Sequence, residues 1–171
     1  MFIGRTQELR QLEEAYRMER STAVVLYGRK GIGKTELAHT FLKDKPAVFY
    51  AVKELSEQEQ CYLVAEELGV AGETAEAKRK VPGLAKSLID AAERCLNGQK
   101  KAVIVLDEFH FLVKTGRSFL EAFIQMMNEE EKRYMFLLVS SSVSWVENSM
   151  AEDLSFGARF LSGVIKLKEF T

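Results

Sequence analysis

The stretch that most restricts the fold of this chain is VVLYGRKGIGKTEL, residues 24–37, where an apolar segment meets three glycines, a lysine and a threonine. Gly28, Gly33, Lys34 and Thr35 match the pattern G-x-x-x-x-G-K-[ST] without a mismatch. A strand-like segment precedes the pattern and a helix-like rhythm follows it, which is the context that the pattern requires. The chain is therefore expected to contain a strand, a glycine loop and a helix in direct succession.

A loop of this composition is suited to bind the phosphates of ATP. Glycines let backbone N–H groups approach an oligophosphate, and the start of the next helix adds its positive end and its unpaired N–H groups. Lys34 would reach the β- and γ-phosphates, and the Thr35 hydroxyl would complete the shell of a Mg²⁺ ion. The predicted nucleotide-binding residues of this loop, called the cradle below, are Gly28, Arg29, Lys30, Gly31, Ile32, Gly33, Lys34, Thr35 and Glu36.

Two other interpretations of the glycines are a turn without a ligand and a dinucleotide-binding loop. The second does not fit, because Gly28, Gly31 and Gly33 have the spacing G-x-x-G-x-G. The side chains of Arg29 and Lys30 are expected to point towards solvent.

Strand-like and helix-like segments alternate along the chain. Strands are predicted at 22–27, 46–52, 101–112, 134–142 and 163–170. The helices between them include one that opens with a capping box, Ser56 to Glu59, and the polar stretch 71–83 is expected to be a surface connection. This alternation predicts an α/β fold with a mostly parallel sheet, whose ligands lie beyond the carboxyl ends of the strands.

The predicted third strand runs into an acidic pair, in VIVLDEFHF: residues 103–106 form its buried part, and Asp107 and Glu108 stand where it emerges. Asp107 would hold Mg²⁺, and Glu108 would orient and activate an attacking water. The alternative is that these are two ordinary acidic residues at the end of a strand. The presence of the cradle in the same chain favours the catalytic interpretation. His110 is interpreted as a residue of the surface or the edge of the core.

The predicted fourth strand ends in hydroxyl side chains, in FLLVSSSVSW. Ser140, Ser141 or Ser142 could sense the γ-phosphate or hold the attacking water, or the serines could simply end the strand. Ser141 is taken as the candidate, so the predicted catalytic residues are Glu108, Lys34 and Ser141, and the predicted metal ligands are Thr35 and Asp107.

Length and composition limit the kind of protein. The chain has 171 residues, a length that suits one globular domain. Its net charge of −1 gives no overall positive field that would attract nucleic acid, but it does not exclude a local basic patch. The sequence shows no signal peptide and no apolar run of the roughly 18 residues that a membrane span needs. A cytoplasmic location is therefore predicted.

The segments FIGRTQELRQLEEAY, LYGRKGIGKTEL, VIVLDEFHFL and FLLVSSSVSWVE together resemble successive motifs of the archaeal-type ATPase family, in the STAND-like branch of AAA-plus P-loop ATPases. The resemblance implies a P-loop NTPase three-layer sandwich with a five-stranded sheet in the order 5-1-4-3-2. It also implies that residues 1–171 correspond to the ATPase core, without the helical lid and C-terminal domain of the family.

The family resemblance also suggests further site residues. Ile3, Gly4 and Arg5 would lie near the adenine and ribose. The chain has Ser140-Ser141 where the family usually has Gly-Ser, and Gly157 and Arg159 are separated where the family tends to have Gly-Arg, so a phosphate contact by Arg159 is left open.

The function that follows is a Mg²⁺-dependent ATP-binding module with weak or partner-dependent hydrolysis, which acts as a nucleotide switch on other domains or protein partners. A small-molecule kinase on the same loop and an interaction domain that binds nucleotide without hydrolysis are the alternatives. A GTPase is disfavoured because the sequence contains no Asn-Lys-x-Asp segment.

Overall fold

The computed structural model of the protein describes residues 4–69 and 83–169. The strands are Thr22–Tyr27 (β1), Ala47–Ala51 (β2), Lys101–Asp107 (β3), Arg133–Ser140 (β4) and Gly163–Lys166 (β5). The α-helices are Thr6–Arg17 (α1), Lys34–Leu42 (α2), Glu57–Glu67 (α3), Leu84–Leu96 (α4), His110–Thr115 (α5), Ser118–Met127 (α6), Val143–Asn148 (α7) and Met150–Leu154 (α8). A 3₁₀-helix, Ser155–Phe160, follows α8.

Within the described residues, five strands form one parallel sheet in the order β2-β3-β4-β1-β5. This is the predicted order 5-1-4-3-2, read from the other edge. Every residue of β1 is buried, as expected for a parallel strand that is covered on both faces. The residues that follow β1, β3 and β4 therefore lie at the same edge of the sheet.

Helices cover both faces of the sheet and divide the core in two. On one face α1 and α2 contribute Leu12, Leu37 and Phe41. On the other face α4 and α6 contribute Leu88 and Phe123, together with residues of α3, α7 and α8. Successive side chains of β1 alternate between the two clusters, because neighbouring residues of a strand point to opposite faces. The predicted three-layer α/β sandwich is confirmed.

Several strand ends differ from the prediction. β3 ends at Asp107, at the acidic pair where its buried part was expected to emerge, although the predicted segment ran on to residue 112. β4 ends at Ser140 and not at residue 142, and β5 ends at Lys166 and not at residue 170. The chain leaves β3 at Glu108, whose φ of 60° is left-handed, and the mostly apolar segment 109–112 continues into α5. A short apolar run does not distinguish a strand from a buried helix, which explains the error.

The predicted start of α3 is confirmed. The Ser56 side chain accepts a hydrogen bond from the Glu59 N–H, and the Glu59 side chain accepts one from the Ser56 N–H. The surface connection predicted at 71–83 lies, except for Gly83, outside the described residues, so it stays a prediction.

Lys101, the first residue of β3, ties the end of α1 to the sheet. Its Nζ donates hydrogen bonds to the carbonyl oxygens of Ala15, Met18 and Arg20 at 3.0, 3.1 and 2.8 Å. Burial lowers the pKa of Lys101 to about 8, and the charges of Arg20 and Arg133 add to this effect. The ammonium group therefore remains charged at pH 7, at the helix end where the backbone dipole favours a cation.

The Lys101→Met variant is expected to lower the free energy of unfolding by about 2 kcal/mol, because the Met18 and Arg20 carbonyl oxygens lose the ammonium donor, while the Ala15 carbonyl oxygen keeps only the Thr22 hydroxyl. Urea unfolding at pH 7, followed by circular dichroism, measures the change. The neighbouring Lys100 is exposed, so Lys100→Met is the control and should change stability by less than about 0.5 kcal/mol. Equal losses in the two variants would contradict this role for Lys101.

Candidate functional site

The cradle leaves the end of β1 along a path that its glycines make possible. Gly31 and Gly33 have φ values of 83° and 106°, which residues with a Cβ rarely adopt. Gly28 is tightly packed, since a Cβ there would lie 2.6 Å from the Leu167 carbonyl oxygen. Within the described part of the chain, no side chain caps the start of α2. Its first N–H groups are therefore available to an anion.

Lys34, the first residue of α2, folds back over the cradle. Its Nζ donates hydrogen bonds to the carbonyl oxygens of Gly28 and Arg29 at 2.7 and 2.8 Å, and the residue is buried. Burial lowers the pKa of Lys34, and the charges of Glu108 and Asp107 oppose this shift. A phosphate placed beside Lys34 would favour the charged ammonium further.

A cleft of about 540 Å³ lies between the cradle and the tips of β3 and β4. This volume is within the range of small-molecule and cofactor sites. The cleft contains all three predicted catalytic residues and both predicted metal ligands. Phe111 also lines it, a position that the sequence analysis did not predict. The lining residues are Lys30, Gly31, Gly33, Lys34, Thr35, Glu36, Asp107, Glu108, Phe111 and Ser141.

Asp107 and Thr35 present oxygen atoms to the same cleft. Burial raises the pKa of Asp107, the neighbouring Glu108 raises it further, and Lys34 lowers it. Among the described residues, no group of three or more histidine, cysteine or acidic side chains is arranged to hold a metal ion. Mg²⁺ does not need such a group, since it binds through one or two carboxylates, waters and substrate phosphates. The donor set fits Mg²⁺ bound together with a nucleotide.

Glu108 is connected to the tip of β4 through Ser141. The Ser141 N–H donates a hydrogen bond to Glu108 Oε1 at 2.8 Å, and the Ser141 hydroxyl donates one to Glu108 Oε2 at 2.7 Å. The two predicted residues are thus brought together directly. Of the three serines, Ser141 is the one that lines the cleft.

The contact between His110 and Ser140 was not predicted, since His110 was expected at the surface or the edge of the core and Ser140 was only one of three candidate serines. His110 is buried, with Nδ1 2.8 Å from Ser140 Oγ and Nε2 3.5 Å from Glu108 Oε2. This contact follows from the register of β3 and β4. Asp107 pairs with Val139, so the residues that come after these two lie close together, and a correct prediction of the register would have found the contact. The order of the strands alone does not give that register.

A second hollow of about 240 Å³ adjoins the cleft. Lys30 and Gly31 line both spaces, so the two lie next to each other along the cradle. Arg5 lies in the hollow and donates a hydrogen bond to the Lys168 carbonyl oxygen at 2.8 Å. The remaining lining residues are Arg29, Ile32 and Glu169, and Arg29 forms an ion pair with Glu169.

Three of the predicted nucleotide-binding residues do not line either space or cannot be placed. Gly28 and Gly4 belong to neither set of lining residues, and Gly4 has a φ of 90°. Ile3 lies outside the described residues. Arg159 lies far from the cradle, in a pocket that it shares with Ser21 and Arg133 at the amino ends of the strands.

Comparison with known proteins places the chain in a family. Residues 2–158 match the family described as an ATPase domain predominantly from Archaea. The protein MJECL04 of Methanocaldococcus jannaschii is 25% identical over 176 residues, an alignment that covers 98% of this chain and 36% of that protein.

Solved structures agree with this match at the level of the fold. The ORC1 protein of Aeropyrum pernix in complex with DNA is similar with a TM-score of 0.63 and 21% identity, over 100% of this chain and 47% of that one. The Walker-type ATPase PABY2304 of Pyrococcus abyssi is similar with a TM-score of 0.65 and 18% identity, over 99% of this chain and 54% of that one. The chain thus spans about half or less of the length of these relatives. Because the family match extends over most of the sequence, this chain belongs to the family of ATPase domains that come predominantly from Archaea.

Proposed function

We propose that this chain is a Mg²⁺-dependent ATP-binding module, that it hydrolyses ATP slowly, and that its nucleotide state controls contacts with other domains or protein partners. The observation that carries the proposal is the single cleft that Lys34, Thr35, Asp107, Glu108 and Ser141 line together. An ammonium group, a hydroxyl and two carboxylates around one space are the groups that phosphoryl transfer to water requires.

Each part of the site has a place in this proposal. The cradle amides and Lys34 would bind the β- and γ-phosphates. Thr35 and Asp107 would hold Mg²⁺, which when bound neutralises negative charge on the phosphates. The hollow that contains Arg5 and Ile32 lies along the cradle and would accept the nucleoside, in keeping with the role expected for the residues before α1.

The contacts of Glu108 support slow hydrolysis. Each oxygen of the Glu108 carboxylate already accepts one hydrogen bond from Ser141, so an attacking water must bind in the direction that these two contacts leave free. A partner that shifts the tip of β4 would change that direction, which supports hydrolysis that is slow alone and depends on partners.

A switch also needs a connection from the cleft to the surface. Tyr27 and Lys166 both donate hydrogen bonds to Glu147 Oε2, at 2.8 and 2.9 Å, and so join β1, β5 and α7. The helix α7 begins at Val143, shortly after Ser141. A change at Ser141 would therefore move a helix that is attached to two strands of the sheet.

Protein partners are proposed in preference to nucleic acid or lipid. The ORC1 relative forms a complex with DNA, but the net charge of −1 gives this chain no general attraction for a polyanion. No helix within residues 4–69 and 83–169 is long and apolar enough to cross a membrane. A cytoplasmic location remains part of the proposal.

The wild-type protein is expected to bind MgATP and to release inorganic phosphate slowly when no other acceptor is present. Titration calorimetry measures the affinity, and a phosphate assay measures the release. Removing Mg²⁺ with EDTA should weaken binding and stop the release, because the phosphates lose their counter-charge, and GTP should compete poorly with ATP.

The outcomes separate the alternatives. Binding without release would identify a nucleotide-binding interaction domain. Transfer of phosphate to an added hydroxyl compound, with none to water, would identify a small-molecule kinase. Failure to bind ATP would contradict the proposal as a whole.

A further inference from the structure

His110, the first residue of α5, lies directly behind Glu108 on the side away from solvent. Its Nε2 is 3.5 Å from Glu108 Oε2, and its Nδ1 is 2.8 Å from Ser140 Oγ. The imidazole ring packs against the rings of Phe111 and Trp145, with centroids 4.3 and 5.9 Å away. These contacts fix the plane of the ring, so both nitrogens have defined neighbours.

The neighbours of Ser140 determine which nitrogen carries the proton. Ser140 has no exposed surface, and its Oγ already accepts a hydrogen bond from the Ser142 N–H at 3.0 Å. Leaving the buried hydroxyl proton unpaired would be costly, so the Ser140 hydroxyl donates to Nδ1 of His110. Nδ1 is then unprotonated, and a neutral ring carries its proton on Nε2, which faces the Glu108 carboxylate.

The charged groups around His110 agree with a neutral ring. Burial lowers the pKa of His110, and Lys114 lowers it further. Glu108 and Glu54 act in the opposite direction. Because burial is the largest of these effects, the ring is uncharged at neutral pH.

We propose that His110 is a positioning residue for Glu108: Ser140 fixes the Nε2–H tautomer, and this N–H holds one oxygen of the carboxylate. This inference rests on the proposed function of Glu108. The Glu108 side chain is partly exposed and stands on a left-handed backbone, so it needs support to keep one direction. Ser141 supports it at the rim of the cleft, and His110 supports it from the core.

The contacts of the Glu108 carboxylate leave one lone-pair direction free to accept a hydrogen bond from water. A carboxylate offers about four lone-pair positions. Glu108 Oε2 takes the Ser141 hydroxyl and faces His110, whereas Oε1, among the described residues, accepts only from the Ser141 N–H. A separation of 3.5 Å is long for a hydrogen bond, and catalytic contacts commonly shorten when substrate binds.

Two substitutions of His110 separate its two contacts. Glutamine can place an N–H at the position of Nε2, whereas asparagine reaches only the position of Nδ1. His110→Asn is expected to lower kcat for phosphate release about tenfold while KM for ATP stays within about twofold, because orientation is lost and binding is not. His110→Gln is expected to recover most of that loss. Equal rates in both variants, whether both normal or both reduced, would overturn the inference, as would a loss confined to KM.

The tautomer itself can be measured without a substitution at His110. The chain has two histidines, His39 and His110, so a His39→Gln variant assigns the signals of long-range ¹H–¹⁵N spectra. At pH 7 His110 is expected to show a protonated Nε2 and an unprotonated Nδ1. Ser140→Ala should lower the fraction of that tautomer. A ring protonated on Nδ1, or a charged ring at pH 7, would overturn the inference.

These results distinguish a failure of this inference from a failure of the proposed function. Normal turnover by both His110 variants, when Glu108→Gln abolishes turnover, removes only the role of His110. If the wild-type protein releases no phosphate, hydrolysis fails as the function. The spectra then still test whether Ser140 fixes the Nε2–H tautomer that the contact with Glu108 requires.

Discussion

The Glu108→Gln variant is expected to bind ATP as tightly as the wild-type protein and to release phosphate at least about one hundredfold more slowly. Glutamine keeps the shape of the side chain, and its carbonyl can still accept the Ser141 N–H. Its amide cannot take a proton from an attacking water. Single-turnover phosphate release and titration calorimetry, both in the same magnesium buffer, measure the two quantities.

A second acid-to-amide change provides the control for this result. Glu121 is exposed on α6, and Glu121→Gln should leave both binding and phosphate release unchanged. Phosphate release by Glu108→Gln at the wild-type rate would remove Glu108 from the hydrolytic step. A loss of ATP binding would show instead that Glu108 supports the shape of the cleft.

The Lys34→Ala variant is expected to bind ATP about thirtyfold or more weakly, since it removes a buried cation from the cradle. Lys34 also bonds the carbonyl oxygens of Gly28 and Arg29, so the variant removes part of the support of the cradle. Calorimetry measures the affinity, and thermal unfolding without nucleotide shows how much stability is lost.

Lys43, at the opposite end of α2, is the matched control because it is exposed and carries the same charge. Lys43→Ala should bind ATP within about twofold of the wild-type protein. A similar loss in both variants would indicate a general effect of net charge. Unchanged affinity in Lys34→Ala would contradict the assignment of the cradle.

The strands of the sheet could be predicted because their signals are local, whereas their order was implied by the family resemblance. β1 and β3 are apolar segments, and the glycine pattern fixes which of them carries the cradle. The end of β3 could not be predicted in the same way. Glu108 adopts a left-handed backbone conformation, which a glutamate residue gives no reason to expect. The mostly apolar segment after it is compatible with either a strand or a buried helix.

The site shows the same division between local and long-range information. Lys34, Thr35 and Asp107 were predicted from motifs that each lie within one short segment, and the structure brings them to one cleft. The contacts of His110 with Ser140 and Glu108 depend on how β3 and β4 are aligned. A buried histidine has no sequence pattern that separates it from a histidine at the surface.

The position of β1 in the sheet has a consequence for how the protein is made. β1 pairs with β4 and β5, which are both synthesised long after it. In the growing chain, the apolar β1 segment, which precedes the glycine loop, therefore has neither of these strands to pair with until β4 has left the ribosome. Such unpaired strands are prone to aggregate, so this segment is where we expect a chaperone to bind during translation.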